Sequence, residues 1–195
     1  MTNSRCLLTL VLVTALSLPL TGCGPYNRLV GLDEAVDTAW SQVENVYQRR
    51  ADLIPNLVET VKGASDFEQE TLTAVVEARA KVNQINIEGV PDAAQFEQFQ
   101  AAQDELSSAL SRLLVTVERY PELTATQGYR DLQAQLEGTE NRIAVERKRF
   151  NETVQDYNTA RRQVPTNLYA KAFGFEEKTY FSASPGAEEP PKVEF

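Results

Sequence analysis

The chain has 195 residues, 19 basic and 28 acidic side chains, a formal charge of −9 and no histidine. No basic cluster exceeds the short runs Arg147-Lys148-Arg149 and Arg161-Arg162, which argues against nucleic acid as a partner because phosphate neutralisation needs clustered cations. With no histidine and only Cys6 and Cys23, zinc sites built on those ligands and Ser-His or Cys-His machinery are excluded. No phosphate loop or calcium-loop spacing appears, so no cofactor or metal is expected.

At the N-terminus Arg5 precedes an apolar stretch from Leu7 to Leu20, and Leu20-Thr21-Gly22-Cys23 follows. Fourteen residues fall short of the roughly 20 that a membrane span needs, so residues 1–22 read as an export signal. A small residue before Cys, with Leu three positions before it, resembles the lipobox of bacterial lipoproteins. That resemblance implies cleavage before Cys23, diacylation of its thiol and acylation of the new amine. The alternative is an uncleaved signal anchor in which Cys23 is incidental. Cleavage would remove Cys6 and Arg5 and take the formal charge from −9 to −10. The remaining 173 residues suit one domain.

Residues 26–164 read as helix almost throughout. The first helix is predicted over 26–51, with Leu29, Leu32, Val36, Trp40, Val43 and Tyr47 on one face. Asp52 is predicted to cap a second helix, because Pro55 would then fall in the first turn, where a missing N–H is harmless. That helix carries Ile54, Leu57, Val58, Val61, Leu72, Val75, Val76 and Val82, with a kink or interruption between Gly63 and Leu72. Asn86 to Pro91 is a loop, and Asp92 caps a third helix. Along its heptad seam, Phe96 to Tyr120, the single polar residue is Gln103.

Pro121 ends that helix, and Thr126 is the predicted N-cap of a last one over 126–163. Its stripe is Tyr129, Leu132, Leu136, Ile143, Phe150, Val154 and Tyr157, and Pro165 stops it. Residues 165–195 hold four prolines and should be extended, packing along the helices through Phe173, Phe175, Tyr180, Phe181, Val193 and Phe195. The expected domains are a signal at 1–22, a helical bundle at 23–164 and the tail at 165–195. The predicted fold is all-α, an antiparallel four-helix bundle with long helices and an extended C-terminal tail.

Gln48-Arg49-Arg50-Ala51-Asp52-Leu53-Ile54-Pro55-Asn56-Leu57, within residues 26–63, resembles the bacterial LemA family. So do Val117-Glu118-Arg119-Tyr120-Pro121-Glu122-Leu123, Leu136 to Val145, Phe150-Asn151-Glu152, Asp156-Tyr157-Asn158, Phe173-Gly174-Phe175 and Pro190 to Phe195. The likeness covers essentially the whole chain after Cys23. It implies a membrane-tethered, mostly helical envelope protein without an established activity, cofactor or active site. Many members resemble single-span proteins with an uncleaved N-terminal helix, and here that helix is replaced by a candidate lipid anchor.

Charges that fall on apolar seams need an account. Glu140 and Arg147 lie on or beside the last stripe, and Glu68 and Arg79 interrupt the second. One reading is a buried polar layer in which Arg79 and Arg147 meet Glu68, Glu118 or Glu140 and fix helix register. The other is that each charge reaches solvent at the stripe's edge. The Gln48–Asp52 run is either a partner-binding corner or, as favoured here, a cap and salt-bridged turn. Cys23 lies only about three residues before the first helix, a span of at most roughly 10 Å. The returning last helix would then bring Arg161 and Arg162, with Arg28 and Lys171, to the membrane surface.

These readings lead to a lipid-anchored bacterial envelope protein, a non-catalytic interaction or scaffold module with unidentified envelope partners. Gly24 after the candidate lipid site favours the outer membrane facing the periplasm, where two membranes exist. The alternative is a small-ligand or envelope-stress sensor with a pocket between helices, lined by Trp40, Tyr47 and other aromatics.

Overall fold

The computed structural model describes residues 23–63, 68–87 and 89–182, and among these it contains helices, turns and an extended tail but no strand. The helices are α1 (Cys23–Lys62), α2 (Gln69–Gln84), α3 (Ala93–Val117), α4 (Pro121–Thr124), α5 (Gln127–Arg162) and α6 (Thr166–Phe173). Residues 1–22, expected to be an export signal, and Val193 and Phe195 lie outside the described residues.

The expected break at Asp52 does not occur. α1 is one helix of 40 residues with Pro55 inside it. Proline has no N–H to bond the carbonyl four residues back, which is that of Ala51. Arg79 of α2 donates its Nε–H to that carbonyl at 2.9 Å. A side chain from another helix thus replaces the bond that proline removes. Burial favours continuity as well, since Tyr47, Ala51, Ile54, Leu57 and Val61 form one buried stripe across the proline. Asp52 caps nothing, and instead accepts a hydrogen bond from Gln48 Nε2 at 2.8 Å.

Other boundaries fall where local chemistry puts them. Asp92 accepts from the Gln95 N–H at 2.8 Å, and the Gln95 side chain accepts from the Asp92 N–H at 3.2 Å, a complete capping box. Thr126 caps α5 by accepting from the Tyr129 N–H. The short α4 begins at Pro121, where a missing N–H costs nothing.

Pairings across the helices give their directions. Arg50 meets Glu140 while Trp40 meets Phe150, so α1 and α5 run antiparallel. Tyr47 meets Phe99 and Arg50 meets Gln103, so α3 follows the direction of α1. Lys81 pairs with Glu105 and Glu68 with Arg119, so α2 runs against α3. Two apolar clusters fill the interior. One joins Ile54, Leu57 and Val61 to Leu72, Val75, Leu106, Leu113 and Leu136. The other gathers Leu29, Trp40, Phe96, Phe99, Phe150 and Tyr157. Val76, expected on the apolar stripe, is instead 49% exposed.

The segment after Pro165 is not wholly extended as expected, because Thr166–Phe173 forms α6. The apolar Ala170 and the small Thr166 turn inward on that helix. Gly174 ends it with φ of 74°, a left-handed conformation that costs a glycine nothing. Residues 175–182 then return as extended chain along α5. Phe181 closes the aromatic cluster, 5.5 Å from Phe150 and 4.6 Å from Phe96 between ring centroids.

Candidate functional site

Continuing the alternation of Val43, Tyr47, Ile54, Leu57 and Val61 places Arg50 on the buried seam of α1. A cation there must be paired and hydrogen-bonded, since desolvating it costs several kcal/mol. Its side chain is 1% exposed. Nη1 donates to Ser107 Oγ at 2.8 Å and to Glu140 Oε1 at 2.9 Å. Nη2 donates to the Gln103 carbonyl at 3.4 Å and, at shorter range, to Gln103 Oε1. The guanidinium also sits 5.0 Å from the Tyr47 ring centroid. Gln103, the polar residue on the α3 seam, is 3% exposed and is held by this one cation. Three helices, α1, α3 and α5, are joined at a single point. Glu140 is 46% exposed, so the negative partner keeps part of its hydration.

The five charges singled out from the sequence do not form one layer. Arg79 serves the Ala51 carbonyl. Arg147 donates to the Ser182 carbonyl at 2.8 Å and lies over the Phe181 ring at 4.7 Å. Glu68 pairs with Arg119 at 2.8 Å on the surface. Glu118 is exposed at the end of α3 and forms no ion pair with Arg79 or Arg147. Only Glu140 reaches the buried layer, and its partner is Arg50. Both cations had nearer acceptors, which is why the five part company.

A second polar system holds the tail. Asn158, 1% exposed, donates to the Lys178 carbonyl at 2.9 Å and accepts from the Lys178 N–H at 3.1 Å. Asn151 does the same to Phe181, at 3.1 and 2.8 Å. Gln100 of α3 brackets Ser182 at 3.5 and 3.3 Å. A carboxamide presents one donor and one acceptor side by side, so it can pair with both polar groups of one extended residue. Tyr157 donates to the Glu176 carbonyl at 2.8 Å, and Lys178 pairs with Asp33 at 2.9 Å. The sequence reading gave these amides no role because they sit outside the apolar stripes read for α3 and α5. Their partners are backbone groups that leave no trace in composition.

Raised pKa values follow from burial. Tyr157 is pushed up to about 12, first by burial and then by Asp33, against the pull of Arg161. Burial also raises Tyr47, opposed by Arg147 and Arg50, and raises Glu44, opposed by the neighbouring Trp40 indole. Glu44 and Tyr47 line a cleft of about 470 Å³ with Asn83, Asn86, Phe99 and Gln103. Trp40, expected in such a pocket, is instead packed among Phe96, Phe99 and Phe150 and 1% exposed. Among the described residues no acidic or cysteine group is arranged to hold a metal.

The four cations expected near the N-terminus lie at one end of the molecule. Arg161, Arg162 and Lys171 line a cleft of about 360 Å³ with Asn167, Gly174 and Phe175. Arg28 is exposed, two residues beyond Tyr26, whose ring lies 4.9 Å from Phe173 and 5.9 Å from Phe175. Arg161 donates to the Phe175 carbonyl at 2.9 Å and pairs with Glu177 at 3.4 Å, so it is largely committed to the tail. Cys23 opens α1 at this same end.

These features define an all-helical protein built on two long antiparallel helices, with a buried cation at its middle and a back-folded tail. The LemA family model matches residues 39–195, and the chain belongs to the LemA family. It is similar to magnetosome protein MamQ of Magnetospirillum gryphiswaldense, 26% identical over 184 residues, covering 85% of this chain and 67% of that one. Magnetosome protein MamQ 1 of Paramagnetospirillum magneticum gives the same identity and coverage. Protein LemA of Metamycoplasma hominis is 22% identical over 161 residues, covering 83% of this chain and 70% of its own. Among the described residues no helix is long and apolar enough to cross a membrane.

Proposed function

We propose that this protein is a lipid-anchored component of the bacterial envelope, an antiparallel four-helix bundle that acts as a non-catalytic interaction or scaffold module. The observation that carries the reading is the position of Cys23 inside the first turn of a 40-residue helix. With no flexible linker between anchor and helix, acylation there would fix the bundle against its bilayer rather than tether it loosely. Arg28, Arg162 and Lys171 at that end support the same orientation, each adding about 1 kcal/mol of attraction to an anionic surface. The likeness to magnetosome proteins supports association with a bacterial membrane. Intact mass measurement of the protein extracted from membranes tests the anchor. The expected species lacks residues 1–22 and carries acyl mass on Cys23, and Cys23→Ser should remain uncleaved. A wild-type species with an unmodified Cys23 and its first 22 residues would refute it.

The cleft beside Tyr47, Asn83, Asn86 and Gln103 supports a second reading, a sensor for a small polar ligand. Its polar lining converges on the buried Arg50 node through Tyr47 and Gln103. A metabolite that raises the melting temperature of the wild type but not of Asn83→Trp would favour it.

A further inference from the structure

We infer that α6 is a foot that enters the bilayer interface, with Val164, Leu168 and Phe173 among the lipid headgroups and upper acyl chains. The inference rests on the membrane placement proposed above. Among the described residues eight large apolar side chains are exposed, and four of them lie at the Cys23 end: Tyr26, Val164, Leu168 and Phe173. Val164 is 80% exposed, Leu168 64% and Phe173 62%. That concentration has no use in water. The apolar effect would instead draw such side chains out of it.

α6 divides its faces accordingly. Thr166 and Ala170 are buried against the bundle, whereas Leu168, Lys171 and Ala172 are exposed. Leu168 and Ala172 are four residues apart and share one face, directed away from the bundle. Lys171 flanks that face, and Arg162 and Arg28 are exposed at the same end. Apolar tips ringed by cations suit an interface in which side chains enter the acyl boundary while charges stay with phosphates.

The sequence before α1 selects lipid over protein as the occupant. An apolar stretch from Leu7 to Leu20 leads directly to Cys23. Whether it stays as an anchor or gives way to acyl chains, hydrocarbon is attached where α6 presents its outer face.

The test uses tryptophan as a depth probe in the membrane-extracted protein, reconstituted into phosphatidylethanolamine–phosphatidylglycerol vesicles with or without brominated acyl chains. Trp40, 1% exposed and enclosed by aromatic rings, is beyond the reach of the bromines. Leu168→Trp should add emission that is blue-shifted on reconstitution and mostly lost with brominated chains. Val115→Trp, at a residue 65% exposed near the other end of α3, should keep its emission. Equal emission from both variants with brominated and plain chains, while the protein stays with the vesicles, would overturn the foot and leave the anchor standing. Loss of the protein from washed vesicles would instead overturn the anchor. A Leu168→Trp blue shift that grows with protein concentration without lipid would assign this face to a second copy and overturn the inference.

Discussion

Arg79 donates its Nε–H to the carbonyl of Ala51 at 2.9 Å, the carbonyl that Pro55 leaves without an intrahelical partner. One residue therefore compensates for another across two helices, and the pair should be coupled energetically. Arg79→Leu is expected to destabilise by about 1–3 kcal/mol, the cost of a buried acceptor left unmet. Pro55→Ala restores the missing N–H, so it should be more stabilising in the Arg79→Leu background than in the wild type. A coupling of about 0.5–3 kcal/mol is expected from a urea double-mutant cycle. Strict additivity would show that the bond does not compensate for the proline.

The Arg50 node makes an asymmetric prediction. Arg50→Ala removes a fully buried side chain and strands Gln103, and should cost about 2–5 kcal/mol. Glu140→Gln keeps an acceptor and is half in water, so its cost should be about 1–2 kcal/mol. Replacing Arg50 and Gln103 together by Met and Leu should recover most of the loss, since paired apolar groups substitute well for buried ionic ones. Thermal unfolding of the three variants gives the ranking. A double variant no better than Arg50→Ala would mean the node has a role that packing cannot supply.

The amide clamps predict local release of the tail. Asn158→Ala removes both bonds to Lys178, and Asn151→Ala both bonds to Phe181. Each should expose residues 175–182 to protease and hydrogen exchange while α1 and α5 stay protected. Phe181→Ala, which empties the aromatic cluster, should also lower global stability by about 3–5 kcal/mol. Uniform acceleration of exchange along the chain would show that the tail is not a separate unit.

Tyr157 gives a pH dependence. Its folded pKa is about 12 against an ordinary value of 10.0, so the folded state holds its proton more tightly than the unfolded state. This contribution is complete below pH 10 and is lost as pH rises from 10 towards 12. The phenolate could no longer donate to the Glu176 carbonyl, so the tail should loosen in the same window. Tyr157→Phe should have a lower melting temperature at neutral pH and a flatter decline across pH 10–12. An unchanged slope would assign the alkaline transition to Tyr47 or Tyr129, both also raised by burial.

Much of the helical pattern was legible because its signals are local. Asp92 with Gln95 three residues on, Thr126, and the seam from Phe96 to Val117 are all read within a few turns of chain. Pro55 misled for the opposite reason: the rule against proline inside a helix holds for isolated helices, and Arg79, 24 positions further on, is what relaxes it. The supposed break at Asp52 also hid Arg50, since its place on the seam shows only when the spacing is carried from Tyr47 to Ile54. Gln103 stood out as polar on an apolar seam, but nothing local named its partner. α6 was lost among prolines and glycines. The carboxamides of Gln100, Asn151 and Asn158 act on main-chain atoms, and no pattern of side chains could announce them.

An unbroken α1 of 40 residues is about 60 Å long at ~1.5 Å per residue. Held at Cys23, the opposite tip, where Glu68 meets Arg119, would stand clear of the headgroups by that height. A partner gripping the tip would be kept at a fixed stand-off from the lipid, as by a strut rather than a leash.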